Sequence, residues 1–284
     1  MSGEREDGGG AAQSPTLTRR SLLALAGGAG LLGAVGTAGC TAIDRGPVEK
    51  LPADRIVFGV STAPGFAPPL FWALQAPSVL VYGSGRVVRI ADTGGLRGAP
   101  SRYVEAHVDP LLVARFAADA ERRHALEGHF GDPQVTDLGS TQVWLHGSMG
   151  EQRVSVYALP ETYDEYTAWS GRRRRRRLRS VISDAHALVR DAGAPYVPTR
   201  VVVLEQRVDP DEETADVRWP GPDPTTFLHR PGAWGRGSIA CGELTGSAAA
   251  TVYTAALENS EQRWLVGDRT RVLVVNPLPV EIDC

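Results

Sequence analysis

Short runs rich in valine and isoleucine, closed by glycine-centred turns, limit much of this chain to antiparallel sheet. Arg55–Thr62 reads RIVFGVST, and Ser78–Ile90 reads SVLVYGSGRVVRI, where Gly83-Ser84-Gly85 parts two apolar stretches. Glycine accepts the positive φ that a tight turn requires, so the second stretch predicts a hairpin. A phosphate-binding glycine loop needs a strand before it and a helix after it. A strand follows here, which argues against that use. Thr141–Leu159, TQVWLHGSMGEQRVSVYAL, repeats the pattern across Gly147–Gly150 and predicts a second hairpin.

Helical spacing appears between these runs. After the strand RYVEAHV (Arg102–Val108), Asp109 is a good N-cap and Pro110 suits a first helical turn. Leu112, Val113, Phe116, Ala117 and Ala120 then fall on one face. Arg122, Arg123 and His124 suit the last turn, and Gly128 ends the helix. A second helix follows the run GRRRRRRLR (Gly171–Arg179), because Leu178, Val181, Ile182, Ala185, Leu188 and Val189 form one apolar stripe. The arginines read as the solvated opening of that helix, with attraction to anionic headgroups as the alternative use.

The strand RVVVLEQ (Arg200–Gln206) precedes an irregular excursion over 208–237 that holds five prolines and two tryptophans. Trp219, Phe227 and Trp234 there offer a candidate binding surface, with capping of the core as the plainer use. SIACGEL, TGSAAATVYTAALEN, QRWLVG and RVLVVNP then predict strand, helix, strand, strand. The same order occurs earlier, so the expected architecture is α+β: antiparallel sheet with two to three amphipathic helices, built on two β-α-β-β units if the echo is structural. Residues 55–284 form the domain, with possible sub-units 55–195 and 196–284.

The N-terminus has a different composition. Residues 1–16 contain almost nothing to bury. Arg19 and Arg20 then introduce an uncharged stretch, Ser21–Gly39, that ends in small residues, the layout of an export signal. A retained membrane span competes on length, but Gly27, Gly28, Gly30, Gly33, Gly36 and Gly39 each cost about 1 kcal/mol of helix propensity. TRRSLL resembles the twin-arginine export motif. It has Leu22 where phenylalanine is usual and Ala24 where lysine often follows, and a general secretory signal is the alternative. TAGC (Thr37–Cys40) resembles a bacterial lipobox, which implies a diacylglycerol on Cys40 after cleavage at residue 39, a polar tether over 40–54, and a domain at the outer face of the cytoplasmic membrane.

Cysteine parity bears on the same point. Cys40, Cys241 and Cys284 make an odd set, which leaves one thiol over in an exported chain. If Cys40 carries lipid, Cys241 and Cys284 are free to pair in an oxidising compartment. They stand 43 positions apart. Closing that loop is worth about 4 kcal/mol on the chain-entropy model and would hold down the C-terminus.

LVYGSGRVVRI, the following helix and FGDPQVTDLGSTQVWLHGSMGEQRVSVYAL resemble a bacterial module of unknown function with a YGDGRV-type hairpin, a helix and a Thr-Asp segment leading into a hairpin. CGELTG with the terminal Cys284 resembles uncharacterised actinobacterial lipoproteins exported by the twin-arginine route. That resemblance implies an α+β fold and an envelope location, and it supplies no activity.

Chemistry is sparse. There is no G-x-S-x-G elbow, H-E-x-x-H, C-x-x-C or dinucleotide fingerprint. His124 and His129 bracket Glu127, but Gly128 breaks the helix that would present them to a metal. His129, Asp132 and Asp137 share a loop, where carboxylates usually close Asx turns rather than hold calcium. His107, His146, His186 and His229 are scattered. The chain from Cys40 onward has 245 residues with 27 basic and 30 acidic side chains, so there is no global charge to attract nucleic acid. Lys50 is the sole lysine beside 29 arginines, a coding bias that discounts arginine counts as functional evidence. The expected protein is a non-catalytic envelope lipoprotein without metal or cofactor. It meets the membrane through its anchor and offers a surface to an envelope protein or small ligand. A hydrolase of unfamiliar type acting on envelope substrates is the alternative.

Overall fold

A computed structural model describes residues 50–67, 69–91, 98–189, 193–206, 215–229, 240–280 and 284. The export segment with Arg19 and Arg20, Cys40, the tether as far as residue 49, and Trp234 lie outside those residues.

Strand β1 (Ile56–Ala63) and a short helix α1 (Pro69–Ala73) lead into the first predicted hairpin, β2 (Val79–Tyr82) and β3 (Arg86–Ile90). Gly85 closes it with φ +88°, its N–H donating to the Tyr82 carbonyl at 2.9 Å. Next come β4 (Tyr103–His107), α2 (Pro110–Arg122), the second hairpin β5 (Ser140–Gly147) and β6 (Gly150–Tyr157), then α3 (Trp169–Ala187) and β7 (Ala194–Pro195). These strands form a seven-stranded antiparallel sheet in the order β6-β5-β1-β2-β3-β4-β7.

Alternation along the strands sends Val60, Val81, Val87, Val143, Leu145 and Val156 into a core closed by α2 and α3. A register shift between Ile56 and Phe58 lets both Val57 and Phe58 join that core. The Phe58 ring then meets Phe116 of α2 edge to face at 5.2 Å.

Helix α2 starts as expected, with the Asp109 carboxylate accepting from the Leu111 N–H at 2.9 Å. Its inner face differs in one place. Leu112 is 42% exposed, while Glu121 is buried. Leu112 sits one residue's rotation, about 100°, from Val113, which takes it off the packed side. The Glu121 carboxylate accepts from Ser148 Oγ at 2.8 Å and from the Met149 N–H at 2.9 Å. It thereby holds the β5–β6 turn.

Helix α3 buries Leu178, Val181 and Ala185 as its stripe predicts, but the arginine run is not solvated throughout. Arg175 is 0% exposed. It donates to the carbonyls of Tyr157, at 3.0 Å, and Ala158, and to Asp164 Oδ1 at 3.1 Å. Arg179 adds bonds to Asp164 Oδ2 at 2.5 Å and to the Leu159 carbonyl at 2.9 Å. The arginines thus satisfy three carbonyls where the chain leaves β6, beside Ala158 at φ +49°. Burial pushes the Asp164 carboxyl up, but the hydrogen bonds and charges of Arg179 and Arg175 hold it below the usual carboxylate range.

Strands β8 (Arg200–Gln206), β9 (Ala240–Thr245), β10 (Arg263–Val266) and β11 (Arg269–Asn276), with α4 (Gly246–Ala256) after β9, form a four-stranded antiparallel sheet ordered β10-β11-β8-β9. Helix α4 covers one face around the fully buried Trp264. The other face receives Ala73 and Leu74 from the end of α1. Asn276, also buried, donates to the carbonyls of Ala73 at 3.3 Å and Gln75 at 2.7 Å. Leu278 and Val280 join a second cluster with Leu80, Val88, Tyr103 and Trp144 on the larger sheet's outer face, away from α2 and α3.

The fold is α+β, with two antiparallel sheets and four α-helices among the described residues. The two β-α-β-β runs are present but wired differently. In the first, the hairpin joins its sheet through its first strand, β5 against β1. In the second, it joins through its second strand, β11 against β8.

Candidate functional site

Trp219 and Phe227 lie against the α4 core. The Trp219 ring meets Trp264 edge to face at 5.3 Å, and its Nε1 donates to the Pro222 carbonyl at 2.7 Å. Both rings are half-buried. Their segment also bonds to each edge of the small sheet through a single bridge. Trp219 N–H donates to the Leu265 carbonyl at 3.0 Å, and Leu265 N–H to Val217 at 2.7 Å, beside β10. His229 and Cys241 exchange backbone bonds beside β9. The ring placement of Trp219 and Phe227 is that of core caps.

The Cys241–Cys284 disulfide is formed, with the Cα atoms 5.6 Å apart. It ties the chain end to β9.

A surface that the sequence reading did not single out lies on the outer face of the large sheet, at its β5–β6 end. The register sets Gln142 opposite Ser155, Trp144 opposite Arg153, and His146 opposite Glu151. Gln142, Trp144, Arg153 and Ser155 line an open groove of about 170 Å³. Trp144 lies across Gly59 of β1, where a Cβ would fall 2.2 Å from the indole. Glycine is required there by the ring. Arg55 Nη1 bonds His146 Nε2 at 2.9 Å, and the buried His146 Nδ1 has no hydrogen-bond partner. Glu151 bonds Arg153 at 2.5 Å, and that bond holds the Glu151 carboxyl below its ordinary value.

Ligand pockets for small molecules usually enclose about 300–1,000 Å³. A groove of this size takes a group no larger than one side chain. It is lined by the Gln142 amide, the Ser155 hydroxyl, the Trp144 indole and the Arg153 guanidinium, which Glu151 holds. Among the described residues no histidine is hydrogen-bonded to a serine, threonine or cysteine hydroxyl or thiol, the contact that activates such a nucleophile.

Further along the same face, the Arg86 guanidinium sits over Tyr82 at 5.0 Å and Tyr196 at 5.8 Å while bonding Glu105 at 3.1 Å. Burial raises the hydroxyl pKa of both tyrosines. The clamp is filled by the protein's own cation.

Of the residues named from sequence for a metal, His124, Glu127, His129 and Asp132 are locally engaged. His124 bonds Glu127 at 2.9 Å, His129 Nδ1 accepts from the Gly131 N–H at 3.1 Å, and Asp132 accepts from the Gln134 N–H at 3.3 Å. Among the described residues no group of three histidine, cysteine, aspartate or glutamate side chains is placed to hold a metal ion. No helix among them is long and apolar enough to cross a membrane.

Comparison with protein-family models, curated proteins and solved structures yields no match for this chain.

Proposed function

We propose that this protein is an exported lipoprotein, cleaved before Cys40 and acylated there, whose α+β domain is held at the outer face of the cytoplasmic membrane and binds a partner without catalysis. The carrying observation is the Cys241–Cys284 bond. It occupies two of the three cysteines and leaves Cys40 as the odd thiol, at the end of an export-type segment. Such bonds persist in oxidising compartments, which agrees with export. The diacylglycerol supplies two chains, enough for stable anchoring where one is marginal. Arg19 and Arg20 direct export by the twin-arginine route in this reading.

The groove of Gln142, Trp144, Arg153 and Ser155 is the surface we assign to the partner. Its small volume favours a protruding side chain of an envelope protein over a substrate molecule. Metabolic labelling with palmitate, followed by membrane fractionation, tests the anchor. Label in the wild-type chain and release of an unlabelled Cys40→Ala chain are expected; label that persists in Cys40→Ala, or wild-type protein without label, contradicts it.

A further inference from the structure

The outer side of α3 carries a second surface. Trp169, Arg172, Arg173 and Arg176 recur at positions i, i+3, i+4 and i+7, on the side opposite buried Gly171, Arg175 and Leu178. Trp169 is 68% exposed and Tyr166, in the turn before the helix, is 54% exposed. Large aromatic side chains are ordinarily drawn into a core or an interface. Arg173 stacks over the Trp169 ring at 5.9 Å. Arg172, Arg176 and the adjoining Arg177 have no acidic partner among the described residues, and α3 has no acidic residue in its first turn. Glu161 and Glu165 of the preceding turn leave the patch net positive.

This placement runs against helix electrostatics. Cations near a helix N-terminus face the positive end of the dipole and one another. Arg175 and Arg179 are accounted for by Asp164 and the backbone carbonyls; of the outward arginines Arg173 stacks on Trp169, and none is paired with a carboxylate among the described residues. An anionic surface removes the repulsion. Tryptophan and tyrosine at the edge of a basic stripe are the side chains that settle at the headgroup level of a bilayer.

We infer that this face of α3, from Tyr166 to Arg177, docks on anionic phospholipid headgroups. It rests on the anchored reading for its nearness to a membrane, and it adds an orientation: α3 lies against the lipid, while the β5–β6 groove belongs to a different face of the large sheet, turned from α3. Each arginine near a charged bilayer strengthens binding roughly fivefold.

The test uses the full-length chain on vesicles of brominated phosphatidylcholine, with and without phosphatidylglycerol, read by tryptophan quenching. Quenching that requires phosphatidylglycerol, falls with salt, and is lost in both Trp169→Phe and the Arg172→Gln/Arg173→Gln/Arg176→Gln variant is expected. Equal quenching on both vesicles, or an unchanged triple variant, overturns the inference. Tighter binding to duplex DNA than to phosphatidylglycerol vesicles at equal salt also overturns it. A chain that is acylated yet shows no phosphatidylglycerol-dependent quenching refutes α3 docking and spares the anchor. A chain without lipid that still shows arginine-dependent quenching refutes the anchor and spares the docking.

Discussion

The two sheets are finished differently. The four-stranded sheet is covered by α4 on one face and by the end of α1 on the other, and the 215–229 segment bonds to both of its outer strands. A disulfide pins the chain end to it as well. The seven-stranded sheet has one face closed by α2 and α3, while the β5–β6 end of its outer face keeps polar side chains around Trp144. Polar clasps on the helix side, Glu121 at the β5–β6 turn and Asp164 with Arg175 and Arg179 beyond β6, hold that end in place. A sheet with both faces covered has little left to offer a partner. The open end of the larger sheet keeps polar side chains around a groove, which is why the proposed partner surface is placed there.

Breaking the Asp164 clasp should give the largest effect. Asp164→Ala leaves the buried Arg175 charge without its counter-ion and is expected to cost about 3–5 kcal/mol, measured by urea denaturation. The folded carboxyl titrates below its unfolded value. Its contribution is therefore complete above the unfolded pKa of about 3.9 and is lost as pH falls through the folded value. The stability difference between wild type and Asp164→Asn should accordingly begin to shrink below about pH 4 and vanish only once pH has fallen past the lower, folded value.

Opening the disulfide comes next. Cys284→Ser should lower stability by about 4 kcal/mol on the chain-entropy model, read in the same titration under non-reducing conditions. If the remaining seals hold the small sheet unaided, the loss will be smaller, and the contrast between the sheets will be sharper still.

Gly59→Ala pushes a methyl group into the Trp144 ring and should cost about 1–3 kcal/mol, with a changed near-ultraviolet circular dichroism. Arg153→Ala and Ser155→Ala alter exposed positions and should shift stability by less than about 0.5 kcal/mol. If the open end serves a partner, these two variants lose it in co-purification from native membranes; unchanged recovery would remove the groove from the account.

Much of this architecture was legible in residue patterns. The Gly85 turn, the Gly147–Gly150 turn, the Asp109 cap and the strand over Arg200–Gln206 follow from local chemistry that acts within a few residues. Long-range partners were not legible. Arg175 looks like any other member of its run, and only Asp164 and the carbonyls after β6 make it a core residue. Glu121 is buried because the β5–β6 turn needs its carboxylate, which hydrophobic periodicity cannot register. The five-residue α1, PLFWA, is too short for a helical period to emerge. A signal for the groove was present: Gln142, Trp144 and His146 share the outer face of β5, and a tryptophan between polar neighbours marks a strand face that is not simply solvated. The sheet pairing that sets Ser155 and Arg153 opposite them turns that mark into a groove.

The anchored reading meets its most direct test in the intact mass of the protein extracted from membranes without reductant. It predicts a chain that begins at Cys40, carries a diacylglycerol, and is two hydrogens lighter for the Cys241–Cys284 bond. A chain that still begins at Met1, or one with three free thiols and no lipid, would contradict it.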